Sequence, residues 1–204
     1  MTDKEGFAPL SSERRADNLH QTMRGRSRPV WVFAYGSLLW QPSFQETDRK
    51  PAHLRGYRRS FCLWSALARG SPDQMGLGLG LIKDDNSNCE GIVLMTEPSS
   101  QNEQLTALWD REMWTNAYIP AWQKLETSEG QIDAIVFEAN RQSRQFAGEM
   151  SDWDAAQIIS RARGKFGTCR DYLEKTYDVL LELGINCPEI SRVREAMPPH
   201  TELH

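Results

Sequence analysis

The sequence predicts an α+β domain, on three observations. Short apolar or alternating runs dominate the first half of the chain, helical spacing dominates the last third, and 204 residues suffice for one well-buried core. A net charge of −4, with 25% charged and 39% hydrophobic residues, describes an ordinary water-soluble domain with no electrostatic pull towards nucleic acid. No apolar run approaches the ~20 residues that span a bilayer. The start, Met1-Thr2-Asp3-Lys4-Glu5, lacks the basic-then-apolar layout of a secretory signal, so the expected location is the cytoplasm, without membrane contact.

Residues 1–28 combine polar residues with Arg24-Gly25-Arg26-Ser27-Arg28 and few large apolar anchors, and are expected as a flexible N-terminal arm. The domain proper is placed at 29–192, followed by a C-terminal tail at 193–204. Its first strand, Val30-Trp31-Val32-Phe33-Ala34, is apolar throughout and runs into Tyr35-Gly36-Ser37-Leu38. A loosely alternating second strand follows at 55–64. Residues 75–81 alternate Gly with Leu, as suits a strand closely approached by other backbone. The glycine spacing there lacks the Lys-Ser and the helix start of a phosphate loop. Asp84-Asp85-Asn86-Ser87-Asn88 reads as a turn before a core strand at 91–95.

Ser100 followed by Glu103 fits a capping box, which predicts a helix running through Leu105, Leu108, Trp109 and Glu112. Residues 118–125 and 132–137 predict a hairpin around Ser128-Glu129-Gly130. Two helices are predicted at 152–163 and 168–183, the second capped by Thr168 and stopped at Gly184.

Cys62, Cys89, Cys169 and Cys187 are widely spaced with no C-x-x-C pair, and are expected as reduced core residues rather than metal ligands or a redox dithiol. His200 and His204 fall in the tail and His20 in the arm. Only His53 is left inside the body, which argues against a histidine metal site.

Two local features carry chemistry. The Gly36-Ser37 turn, at the end of a buried strand, lets backbone N–H groups approach a small polar ligand and adds a hydroxyl. Ser37 lacks a G-x-S-x-G context and His53 lacks a triad setting, so serine hydrolysis is not indicated. Glu112 shares a helical face with Leu105, Leu108 and Trp109, which turns a carboxylate inward. A desolvated carboxyl has a raised pKa and can carry a proton in both directions. The alternative is a carboxylate that drifts to solvent or pairs with an arginine. By the same count Arg111 points elsewhere, towards the surface or behind the site.

Six fragments then occur in the order found in the ChaC-like gamma-glutamylcyclotransferases. They are residues 33–40, 56–62, 69–72 and 89–93, Arg111-Glu112-Met113 with Tyr118, and 167–173; the resemblance spans roughly 30–192. It implies a small mixed β-barrel with flanking helices. It also implies a lyase-class activity, free of metal and organic cofactor, that cleaves glutathione to 5-oxoproline and cysteinylglycine. By resemblance Glu112 matches the catalytic glutamate, and Tyr35, Gly36, Ser37 and Leu38 match the substrate-binding turn. Arg69, Tyr118 and Tyr172, inside the matching fragments, are further candidate substrate contacts. The chain departs from the family's Gly-x-Asn-x-Glu-Tyr-Leu stretch in carrying Cys169 where Asn is usual. Two alternatives stand beside glutathione cleavage: cyclisation of another gamma-glutamyl amine or dipeptide, and a non-catalytic regulatory protein that binds a small acid, in keeping with the cation-transport label given to such proteins.

Overall fold

A computed structural model describes residues 7–199, in which five strands close into a barrel. The strands are β1 (Trp31–Ala34), β2 (Glu46–Ser65), β3 (Gly76–Thr96), β4 (Tyr118–Thr127) and β5 (Gly130–Ala139), in the order β1-β3-β2-β4-β5. β1 closes the ring, antiparallel to β3 (Phe33 opposite Val93) and parallel to β5 (Val32 opposite Ile135). Val32, Phe33 and Ala34 are all fully buried, the expected result for an apolar strand covered on both faces. The helices are α1 (Ser12–Met23), α2 (Gln101–Glu112), α3 (Asp152–Arg161), α4 (Cys169–Glu182) and α5 (Pro188–Glu195).

The helical spacing read for α2 holds: Leu105, Leu108 and Trp109 are buried, with the Trp109 ring meeting Phe137 edge-on at 5.3 Å between centroids. Each such side chain stabilises the seat of α2 by about 1.5–3 kcal/mol. The expected capping box does not form. Ser100 sits at φ −117°, ψ 15°, outside the extended region an N-cap needs, and its side chain makes no cap bond. The buried Gln101 takes over: its Oε1 accepts from Val30 N–H (3.0 Å) and from the Thr96 hydroxyl (3.2 Å), tying α2 to the head of β1.

The hairpin forms as expected, with Thr127 opposite Gly130. α4 is capped by Thr168 in a true capping box with Asp171, and Gly184, at φ +72°, follows its end. Residues 75–81 and 91–95, expected as two strands joined by a turn, belong to one strand, β3. Arg55 pairs with Asn88 and Tyr57 with Lys83, so the stretch between Lys83 and Asn88 bulges out against a Gly56 held at φ +76°. The turn chemistry is present, with Asp84 accepting from Asn86 N–H and from the Ser87 hydroxyl, but it serves a bulge.

The segment expected as a loose arm contains α1. None of its residues is buried, which is why it carries no core signature. Leu19 and Met23 pack half-buried against the core, and polar groups of the body fasten the helix further: Trp109 Nε1 donates to Asn18 Oδ1 and Trp122 Nε1 to the Thr22 carbonyl, each at 2.8 Å, and Arg15 pairs with Asp110. At the other end α5 reaches into the span expected as tail, burying Ile190 and Val193; Pro188 at its first turn is the local signal. Residues 163–168 form a short ladder, Arg163–Gly164 with Gly167–Thr168, where the α3 helix was expected to continue to 163. Met1–Glu5, His200 and His204 lie outside the described residues.

Candidate active site

Glu112 is the last residue of α2 and continues its buried face. Its Oε1 is shut away from solvent without a properly aligned hydrogen bond, and the side chain is 13% exposed. Burial pushes its pKa up, and the neighbouring Arg111 guanidinium opposes that rise. The group is thus biased towards taking up a proton, and one cation limits the bias.

That cation occupies a place the helical count did not give it. Arg111 Nε lies 3.1 Å from Glu112 Oε1, Nη2 donates to Ser37 Oγ at 2.7 Å, and Nη1 donates to the Gln41 carbonyl. A single planar fork therefore spans the carboxylate and the turn after β1. The turn is one 3-10 turn, Ser37–Leu39, whose opening N–H groups at Ser37 and Leu38 have no acceptor within the turn. The Leu38 side chain is buried and packs in the core, so this residue offers the site its backbone.

Tyr35 points into the core and fixes the turn from below, its hydroxyl donating to the Phe137 carbonyl at 2.7 Å. Its own carbonyl accepts from Arg59 Nε at 3.1 Å, while Arg59 Nη2 donates to the Glu90 carbonyl. Arg59 is 3% exposed, and no role was assigned to it from sequence. Its signal was the alternation of β2, which sends Tyr57, Arg59 and Phe61 inward together.

Two further tyrosine hydroxyls meet at Leu79 of β3. Tyr118 donates to the Leu79 carbonyl at 2.8 Å, and the Tyr172 oxygen accepts from Leu79 N–H at 3.4 Å. A Cβ on Gly36 would lie 3.3 Å from the Tyr172 oxygen, so the glycine lets the turn approach this ring closely. Burial raises the pKa of Tyr35, Tyr118 and Tyr172, and the charge of Glu112 adds to each rise. All three are neutral phenols at physiological pH around one carboxyl group. Arg69 stands over Tyr172 (5.6 Å to the ring centroid) and over Trp40 (5.8 Å), with Nη1 donating to the Phe166 carbonyl.

The eight residues singled out from the sequence thus lie around one locus, and Arg111 and Arg59 join them. Cys169 is fully buried and its thiol is used on Leu77 of β3, donating to the carbonyl (3.1 Å) and accepting from the N–H (3.4 Å). It therefore braces β3 two residues before Leu79 and offers no free group to a ligand. His53 stands apart, beside Asn88 and Glu90 on β2 and β3. Among the described residues no three His, Cys, Asp or Glu side chains gather as metal ligands do.

Comparison with known proteins agrees with this architecture. The ChaC-like protein family matches residues 30–193. A protein of Escherichia coli (strain K12), named glutathione-specific gamma-glutamylcyclotransferase, is 33% identical over 178 residues, which cover 86% of this chain and 76% of that one. Gamma-glutamylcyclotransferase 2-3 of Arabidopsis thaliana is 28% identical, over 85% of this chain and 93% of its own. Among solved structures, the gamma-glutamyl cyclotransferase specific to glutathione from yeast superposes with a TM-score of 0.76 at 19% identity, over 86% of this chain and all of that one. At that identity the superposition speaks for the fold, a barrel with flanking helices.

Proposed function

The chain belongs to the ChaC-like family, and from that premise we propose that it is a gamma-glutamylcyclotransferase that cleaves glutathione to 5-oxoproline and cysteinylglycine, with Glu112 as the acid–base group. The observation that carries this reading is the Arg111 fork, which holds a buried, proton-seeking carboxyl against a turn whose opening N–H groups have no acceptor within the turn. A gamma-glutamyl compound brings its own nucleophile. Its α-amine is an ammonium at neutral pH, so Glu112 first removes a proton. The freed amine attacks the γ-carbonyl, forming the C–N bond of a five-membered ring. The Ser37 and Leu38 N–H groups receive the oxygen as it gains charge. As the tetrahedral intermediate collapses, the bond to the cysteine nitrogen breaks, and protons shed by the ring nitrogen pass through Glu112 to the departing amine.

No protein nucleophile is needed, so Ser37 has a holding role. Tyr118 and Tyr172, whose hydroxyls meet at Leu79, stand beside the turn that would hold the folded-back conformer, the orientational part of the rate, and Tyr35 fixes that turn from below. The Cys169 thiol, occupied by Leu77, favours no change of substrate. A cytoplasmic location fits four unpaired cysteines, and among the described residues no helix is long and apolar enough to cross a bilayer. The test is incubation of the purified protein with glutathione and detection of both products, with Glu112→Gln in parallel. Loss of the acid–base group is expected to cost about 10²–10⁴-fold. Turnover by Glu112→Gln at the wild-type rate overturns the mechanism. Glutathione binding without turnover by the wild type supports the regulatory alternative.

A further inference from the structure

We propose that Arg69, with Lys175 on the same indole, forms a subsite for the free carboxylate of the departing dipeptide, so that the enzyme selects gamma-glutamyl peptides with an unblocked C-terminus. This rests on the cyclotransferase reading above. Tyr172 marks the route: its oxygen adjoins Gly36 of the turn, Arg69 stands over its ring, and the charges of both Glu112 and Arg69 act on its phenol. A substrate whose γ-carbonyl lies at that turn therefore projects its leaving group across Tyr172 towards Arg69. Two extended residues reach about 7 Å. The guanidinium carbon lies 5.6 Å from the centre of the Tyr172 ring, within that reach of the ring that adjoins the turn.

The charge at this end is unspent. Arg69 gives one nitrogen to the Phe166 carbonyl, and among the described residues neither it nor the exposed Lys175 has a carboxylate within ion-pair distance. Lys175 lies 5.6 Å from the Trp40 ring centre and Arg69 5.8 Å from it, so two cations share one indole. Asp171 is an acid that feels both, and its Oδ2 is committed to Thr168 N–H in the cap of α4. The backbone at Arg69 is held firmly, its N–H donating to Ser65 Oγ at 2.9 Å. The backbone behind it is packed so tightly that a Cβ on Gly70 would fall 2.1 Å from Gly76 N and 2.2 Å from the Ser65 carbonyl. The guanidinium presents its remaining donors as a fork suited to a carboxylate, and Lys175 adds to the field.

The experiment compares glutathione with its C-terminal amide, and with gamma-glutamylcysteine, whose carboxylate stops one residue short. The wild type is expected to prefer glutathione over both by about tenfold or more in kcat/KM. Arg69→Gln is expected to raise KM for glutathione, to leave kcat less affected, and to erase the preference over the amide; Arg69→Lys restores part of it. Lys175→Met, at an exposed position that leaves folding intact, shifts KM for glutathione in the same direction by a smaller factor. Equal turnover of glutathione and the amide by the wild type overturns the subsite and leaves the cyclotransferase reading standing. An equal loss on both in Arg69→Gln does the same, because it assigns Arg69 to the glutamyl end. Absence of turnover on all three substrates overturns the cyclotransferase reading itself.

Discussion

Replacing Arg111 by Gln removes the one charge that opposes the burial of Glu112, and the consequence is readable in a pH profile. At 3.1 Å, the attraction between guanidinium and carboxylate is about 5 kcal/mol at an effective dielectric constant of about 20. Arg111 is 29% exposed, so solvent screens part of it, and what remains holds the Glu112 pKa below where burial alone would put it. The sign is fixed: burial raises the Glu112 pKa, Arg111 lowers it, and without Arg111 it rises further. The ascending limb of kcat/KM, which reports the base in the free enzyme, should move to higher pH by the same amount. At pH values below the displaced limb the variant loses about tenfold in rate for every pH unit the limb has moved, and it recovers as the pH is raised. Ser37→Ala supplies the control. It removes the 2.7 Å bond from Arg111 yet keeps the ion pair, so activity should fall with the limb in place. An Arg111→Gln profile that is lower but not displaced, or displaced to lower pH, refutes this account of Glu112.

The same burial has a cost in stability. A carboxyl whose folded pKa is raised favours the folded state below its unfolded value, and that contribution is lost as the pH rises through the folded pKa. Glu112→Gln should therefore melt at a higher temperature than the wild type in alkaline buffer, with the difference closing below about pH 4; a lower melting temperature at alkaline pH contradicts it. Gly36→Ala brings a Cβ to 3.3 Å from the Tyr172 oxygen, which should lower kcat, and Tyr172→Phe in the same chain should return part of the loss; purely additive losses in the double variant count against the contact. Cys169→Ala leaves the buried N–H and carbonyl of Leu77 without a side-chain partner and should cost about 1–3 kcal/mol in denaturant titration, with Cys169→Ser losing less. Equal stability of the alanine and serine variants would show that the thiol only fills space.

The parts of the site legible in the sequence are those set by local period. Glu112 lies seven residues after Leu105 on one helical face, so its inward direction follows from helix geometry alone. The turn after β1 follows from a buried strand meeting Gly36. What was not legible is the set of bonds that joins these pieces, because each spans a long stretch of chain: Arg111 to Ser37 across 74 positions, Tyr35 to Phe137 across 102, Tyr118 to Leu79 across 39. A helical count gives the direction of a Cβ and says nothing of how far a long guanidinium doubles back, so Arg111 read as a group at the surface or behind the site although its tip reaches both Glu112 and the turn. The same reasoning covers α1, whose anchoring indoles, Trp109 and Trp122, lie 91 and 100 positions away from their acceptors, and which has no buried stripe of its own. Period thus reveals which groups point inward, while the polar bonds that set their protonation and spacing emerge only from the closed barrel. Arg59 marks the boundary between the two. Alternation with Tyr57 and Phe61 turned a charge inward, a costly placement that calls for partners, and the closed fold supplies them in the carbonyls of Tyr35 and Glu90, so the arginine that looks like a core defect in β2 is what steadies the turn after β1.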